Sequence, residues 1–189
     1  SDMASIREYF LKKKLNKKYY NLIYKSWSDV ENILLLFNSD YLEKNSEIKN
    51  FIKQGKKENK NIVACCFVNK KKSDTPTLDD YVVIDKSNIN LLGKPDVNHI
   101  GSIFNYKYDV IIDLTEDIVV PLAYIMAMVE YNFACGVKKD NFNFYDFVLD
   151  FTSQRESMEV KDPDDINESH FSVIILEQIV KYLKMVKSK

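Results

Sequence analysis

Residues 108–130 read YDVIIDLTEDIVVPLAYIMAMVE. Val110, Ile111, Ile112 and Leu114 form an apolar run rich in β-branched side chains, the pattern of a strand buried on both faces of a sheet. A short acidic turn, Thr115-Glu116-Asp117, follows. Then Leu122, Ala123, Ile125, Met126, Ala127 and Val129 are apolar almost all round, as in a deeply buried helix. Proline lacks an N–H and clashes with the preceding turn, so it is tolerated only at a helix start. Pro121 therefore predicts a helix beginning within 118–120 and running to Glu130. A buried strand leading into a buried helix is a βα unit and places the chain among α/β folds.

The flanking segments extend that pattern. VENILLLF (30–37) and NIVACCFV (61–68) are further apolar strands, and residues 41–57 between them carry Leu42, Ile48, Phe51 and Ile52 at helical spacing. One helical crossover makes the two strands parallel, with a right-handed connection. Residues 81–84 predict a short strand near an edge, and Asp96 a short helix bearing Val97, Ile100 and Ile103. Downstream, NFACGV (132–137) and the alternating FNFYDFVLDF (142–151) read as strands. Residues 152–165 are polar and predict a long loop. Residues 166–187 predict a closing helix with Phe171, Ile174, Ile175, Ile179, Leu183 and Val186 inward. Residues 3–24 contain neither Gly nor Pro and predict a lysine-rich helix, with Trp27 placed to pin it to the body. The expected architecture is one three-layer, Rossmann-like α/β domain with a mainly parallel sheet of about five or six strands and helices on both faces.

Charge and cysteine content narrow the function. The formal net charge of −1 hides an asymmetry: residues 1–20 hold Arg7, Lys12, Lys13, Lys14, Lys17 and Lys18 against Asp2 and Glu8, an excess of four cations, which leaves −5 for the rest. A basic segment on an acidic body argues against a nucleic-acid-binding surface. It permits peripheral membrane contact through Lys12, Lys13, Lys14, Lys17 and Lys18, although lysines on a helix more often form a solvated face. The cysteines number 3, and the adjacent Cys65 and Cys66 of a strand point to opposite faces, so no disulfide framework is expected. With no apolar run long enough to span a bilayer and no secretory signal, the expectation is a soluble cytoplasmic protein.

In open parallel sheets, ligands bind beyond the C-terminal ends of the strands, near the point where the winding reverses. That rule selects Ser39, Asp40, Asp113, Thr115 and Glu116 as candidate ligand-binding residues, with Asp85 and Asp117 nearby. Gathered carboxylates there suit a divalent cation or a sugar hydroxyl. The competing reading has Asp40, Thr115 and Asp117 capping helices, and it carries the greater weight. The dispersed Gly55, Gly93, Gly101 and Gly136 write neither a dinucleotide fingerprint nor a P-loop, so no cofactor is expected. Cys65, Cys66 and Cys135 lie in apolar strands where thiols are inert. His99 and His170 without Cys-x-x-Cys spacing make no zinc site, so no metal is expected. The leading expectation is a non-enzymatic domain that binds a partner protein or a small ligand. The alternatives are an enzyme using Asp113 and Glu116 on a phosphorylated or sugar-like substrate, and a peripheral membrane or scaffold protein. Homo-oligomers fit any of them.

The lysine-rich first helix, Y-D-V-I-I-D-L, the proline-started helix, F-A-C-G-V, F-Y-D-F-V-L-D and the terminal helix ending near Tyr182-Leu183 together resemble an uncharacterised domain family of Bacteroides-group bacteria over nearly the whole chain. That resemblance implies a fold and assigns neither reaction nor residues. Residues 108–114 and 132–137 are also similar to the N-terminal Rossmann-like half of heptosyltransferase-type glycosyltransferases, over about a third of the chain. The second, sugar-nucleotide-binding domain of such enzymes is not expected at this length, so the similarity implies the fold and not the transfer reaction.

Overall fold

The computed structural model describes residues 2–38, 46–74, 77, 78, 80–159 and 168–187. The apolar runs become strands β1 (Asn32–Asn38), β2 (Asn61–Phe67), β3 (Tyr81–Ile84) and β4 (Val110–Asp113), followed by β5 (Ala134–Val137) and β6 (Phe147–Leu149). They form one sheet in the order β3-β2-β1-β4-β5-β6, and every pairing between them is parallel. Leu34 of β1 lies level with Val63 of β2 and Ile111 of β4. The chain winds outward from β1 in one direction and from β4 in the other. The winding therefore reverses between β1 and β4, where crossover connections diverge and a crevice opens.

Helices cover both faces, as the alternation of strand side chains requires. Ile33, Leu35 and Phe37 meet Ile48 and Ile52 of α2 (Ser46–Lys57), together with Phe171, Ile175, Ile179 and Leu183 of α5 (Glu168–Met185). Leu34, Leu36 and Ile111 meet Leu122, Ile125 and Met126 of α3 (Val120–Met128), with Leu11 and Leu15 of α1 (Asp2–Asn16) beside them. Cys65 and Cys66 fall in opposite layers and, like Cys135, are free and buried. Among the described residues, no helix is long and apolar enough to cross a membrane.

Several elements depart from the sequence expectation. The first helix ends at Asn16 instead of Tyr24, because Tyr20 and Tyr24 leave it to pack on Tyr131, tilted, and on Phe133, edge-on, with ring centroids 4.5 and 5.1 Å apart. Tyr24 also donates its hydroxyl proton to Leu183 O, and Ile23 N–H donates to Asn132 O. Trp27 therefore pins this connecting segment, not α1: it packs in the α2–α5 layer with Lys60 and Lys184 over its ring at 4.8 and 5.7 Å. The short helix at 96–103 is a single turn, in which Asp96 accepts from Asn98 N–H at its carboxylate and from Ile100 N–H at its carbonyl, followed by a 3-10 segment, Gly101–Asn105. Of residues 142–151 only 147–149 pair as strand. Residues 152–159 form α4 (Thr152–Glu159) where a loop was expected, and the remainder of that loop lies outside the described residues.

Candidate functional site at the carboxyl edge of the sheet

β4 ends in Asp113, and its carboxylate turns back into the protein. Oδ1 accepts from Thr115 N–H (2.9 Å) and Thr115 Oγ1 (2.7 Å), while Oδ2 accepts from the Tyr145 hydroxyl. Lys139 Nζ donates to Tyr145 Oη (2.9 Å) and to Val137 O (3.2 Å) and lies 4.0 Å from Asp113 Oδ2. A buried ammonium group is tolerable only with partners of this kind. Burial pulls the Lys139 pKa down, against the pull upward from Asp113, Asp117 and Glu116. Burial, then Asp113, pushes the Tyr145 phenol well above its ordinary range. The proton order Lys139 to Tyr145 to Asp113 is closed on itself and ties the 139–145 loop to the end of β4.

Gly136 lets that cluster form. A Cβ there would stand 2.3 Å from the Tyr145 ring, so only glycine admits the ring over β5. The turn before Tyr145 uses Asn141 at φ 57°, a conformation that asparagine tolerates better than most residues. These two backbone features aim Tyr145 at Asp113.

Two large cavities flank residues 116–119, and a third of only 60 Å³ is lined by Asn38, Thr115, Glu116, Asp117 and Val119. The larger, 870 Å³, opens beyond β1, β2 and β3 and is lined by Asn38, Phe67, Asn69, Lys86, Ile89, Asn90, Val119 and Pro121. Arg7 enters its wall from α1, and its Nε donates to Leu91 O at 2.8 Å. Gly93 is in the left-handed region at φ 82°, and a Cβ there would meet Val120 Cγ1 at 2.8 Å, so glycine holds the 89–95 loop against the start of α3. The first turn of α3 lines the same cavity without a side-chain cap. The smaller cavity, 460 Å³, lies beyond β5 and β6 and is lined by Glu8, Glu116, Asp117, Lys139, Thr152 and Arg155. Ile118 is common to both.

The residues selected from sequence come together only in part, Thr115 and Glu116 sharing the wall of the 60 Å³ cavity. Ser39 and Asp40 lie outside the described residues. Asp113 and Thr115 bond to each other inside the protein, while Glu116 pairs with Arg155 at 3.2 Å beside the smaller cavity. Asp85 is occupied by the Ser73 N–H (2.7 Å), the Ser87 N–H (2.8 Å) and the Ser87 hydroxyl. The described carboxylates are thus dispersed among separate partners, and among the described residues no group of three or more His, Cys, Asp or Glu is arranged to hold a metal ion. The capping reading fails for Thr115 and Asp117, since the residue before α3 is Val119 and the helix start has no side-chain cap, and for Asp40 it lies outside the described residues. Sequence reasoning missed Arg7, Asn38, Asn69 and Lys86, which carry no motif. Applying the switch-point rule to the end of β2 would have reached Asn69.

The model of a family of unknown function (DUF6913) matches residues 7–162, from within α1 to beyond α4. No curated protein and no solved structure matches the chain.

Proposed function

The chain belongs to this family of unknown function, DUF6913, and we propose that it is a non-enzymatic, Rossmann-like domain that holds a small anionic ligand in the 870 Å³ cleft. The observation that carries the reading is the wall chemistry of that cleft. Arg7 and Lys86 supply positive charge, Asn38 and Asn69 supply amides, Phe67, Ile89, Val119 and Pro121 supply apolar surface, and no carboxylate lines it among the described residues. Such a mixture suits a phosphate or carboxylate attached to a polar, partly apolar body. The volume is within the range of small-molecule sites, and the position is where parallel sheets place ligands.

A thermal-shift screen against nucleotides, sugar phosphates and sugar nucleotides tests this. A ligand at a hundredfold its Kd adds about 2.7 kcal/mol, a rise of roughly 5–10 °C for a domain of this size. The rise is expected to vanish in Lys86→Glu, whose exposed side chain leaves the fold intact. No shift with any of the three classes, or a shift indifferent to Lys86→Glu, rejects the cleft.

A second reading, catalysis at the smaller cavity, is favoured by Lys139, which lines it and is bonded behind the wall to Tyr145, with Asp113 4.0 Å away. It predicts turnover of a bound compound that Tyr145→Phe abolishes while binding persists. Binding without any turnover returns the weight to the non-enzymatic reading.

A further inference from the structure

Helix α1 has two faces of different fate. Leu11 and Leu15 are buried against α3 and belong to the core. On the opposite side Met3, Ile6, Tyr9 and Phe10 stand 53, 45, 62 and 43% exposed. Met3, Ile6 and Phe10 follow the three- and four-residue spacing of a single helical stripe, Lys13 continues it, and Lys17 follows in the turn just beyond the helix. Leu91, 82% exposed, comes alongside through the bond from Arg7 to its carbonyl. This is apolar surface left in water on a helix whose other face is already packed.

We propose that this outward face of α1 docks on an anionic membrane surface, the helix lying in the interfacial plane with Ile6 and Phe10 among the acyl chains and Lys13 and Lys17 at the headgroups. Charge selects that occupant. Lys18 is committed to the carbonyls of Ala127 and Val129, and Lys12 to Glu8 at 3.8 Å. Lys13 and Lys17 are exposed and make no ion pair among the described residues. Lys14 and Lys94 approach each other, and the Lys14 pKa is drawn down first by burial and then by Lys94, with no carboxylate relieving the pair. A lipid phosphate placed between two ammonium groups removes that repulsion. The remainder of the chain, at −5, is repelled by an anionic bilayer, which leaves α1 as the side presented.

A nucleic acid would leave Met3, Ile6 and Phe10 in water. A protein groove would desolvate Lys13 and Lys17, which a lipid interface keeps wet while their stems cover apolar surface. A few apolar side chains and four lysines with no ion pair among the described residues make a weak, reversible attachment. Ile6, Phe10, Lys13 and Lys17 do not line the cleft, so variants at these positions test the attachment apart from any ligand there.

Co-sedimentation of the full chain with vesicles tests this, using phosphatidylcholine alone and phosphatidylcholine carrying about three parts in ten phosphatidylserine. Binding to the anionic vesicles is expected to be at least tenfold tighter, as about fivefold for each lysine near the surface implies, and to weaken as salt is raised from about 0.1 to 0.5 M. Ile6→Ser/Phe10→Ser and Lys13→Glu/Lys17→Glu are each expected to reduce binding more than tenfold with an unchanged unfolding midpoint, because all four side chains are exposed. The inference is overturned by equal binding to neutral vesicles, by absence of binding to anionic ones, or by binding that both double variants retain. Retention on RNA or on an acidic protein without vesicle binding would reassign the patch and overturn it as well.

Discussion

Asp109, at the start of β4, accepts from the N–H groups of Glu31 (2.8 Å) and Asn32 (3.0 Å) and pairs with Lys25 at 2.7 Å. Burial pushes its carboxyl up, but Lys25 and the two N–H donors outweigh that and hold it below the ordinary 3.8. A carboxyl that ionises more readily folded than unfolded stabilises the protein above about pH 4, and that contribution is lost as pH falls through the folded value. Urea midpoints at neutral pH and near pH 3 are therefore expected to differ less in Asp109→Asn than in the native chain; an identical difference rejects the assignment. Asp113, four residues on, has a different neighbourhood. Asp113→Asn leaves the Lys139 ammonium buried without its carboxylate, and a loss of about 3 kcal/mol is expected by urea unfolding. Adding Lys139→Met should recover most of it, and failure to recover would deny the coupling. Asp113→Asn is thus a poor probe of ligand binding. Sequence located this carboxylate and its strand correctly, yet its direction is set by Tyr145 and Lys139, distant in the chain and without any motif. Of the cleft residues, Lys86 was illegible for the same reason, since an exposed lysine carries no periodic signal, whereas Asn38 and Asn69, at the end of β1 and just beyond β2, were within reach of the switch-point rule.

Elements defined by burial were the legible ones. Continuous apolar runs gave β1, β2 and β4 to within two residues at each end, and residues 81–84 became β3 without change. Pro121 fixed the start of α3 because its missing N–H admits few positions. Errors fell where a side chain follows a distant partner, as with Tyr20 and Tyr24 beyond α1 or Tyr145 before β6. Gly136 is the test of the latter: Gly136→Ala drives a Cβ into a ring fixed by Asp113, and about 1–3 kcal/mol of stability should be lost. The loss should shrink in a Tyr145→Ala background, and an unchanged loss would put the strain elsewhere. Helix α5 lies beyond the family match, which ends at 162, yet Phe171, Ile175, Ile179 and Leu183 fill the layer over β1 and β4. Ile179→Ala is expected to cost about 2–5 kcal/mol, as at any filled core position. A cost below about 1 kcal/mol would mark α5 as an accessory covering.

Across the whole molecule, strand order was the least legible property, since alternation of strands and helices says that a sheet is parallel without saying on which side of β1 each strand is laid. The reversal between β1 and β4 is a property of the assembled sheet, and the cleft depends on it. The same assembly decides what α1 is. The lysine-rich first helix reads as one packed on the domain with a solvated face, and Leu11 and Leu15 are indeed buried in the layer with α3, while Lys18 donates to Ala127 O and Val129 O at the end of that helix. Burying two leucines contributes about 1.5–3 kcal/mol each, a large part of the 5–15 kcal/mol that stabilises a typical domain. Deleting residues 2–18 also uncovers Leu122, Ile125 and Met126. The truncated chain is therefore expected to unfold at a markedly lower urea concentration and to bind a hydrophobic dye, and an unchanged midpoint would show α1 to be peripheral. Membrane loss on truncation would then reflect unfolding as much as a missing anchor, so α1's two faces must be separated by exposed-side point variants such as Ile6→Ser/Phe10→Ser, measured beside Leu11→Ala on the buried side.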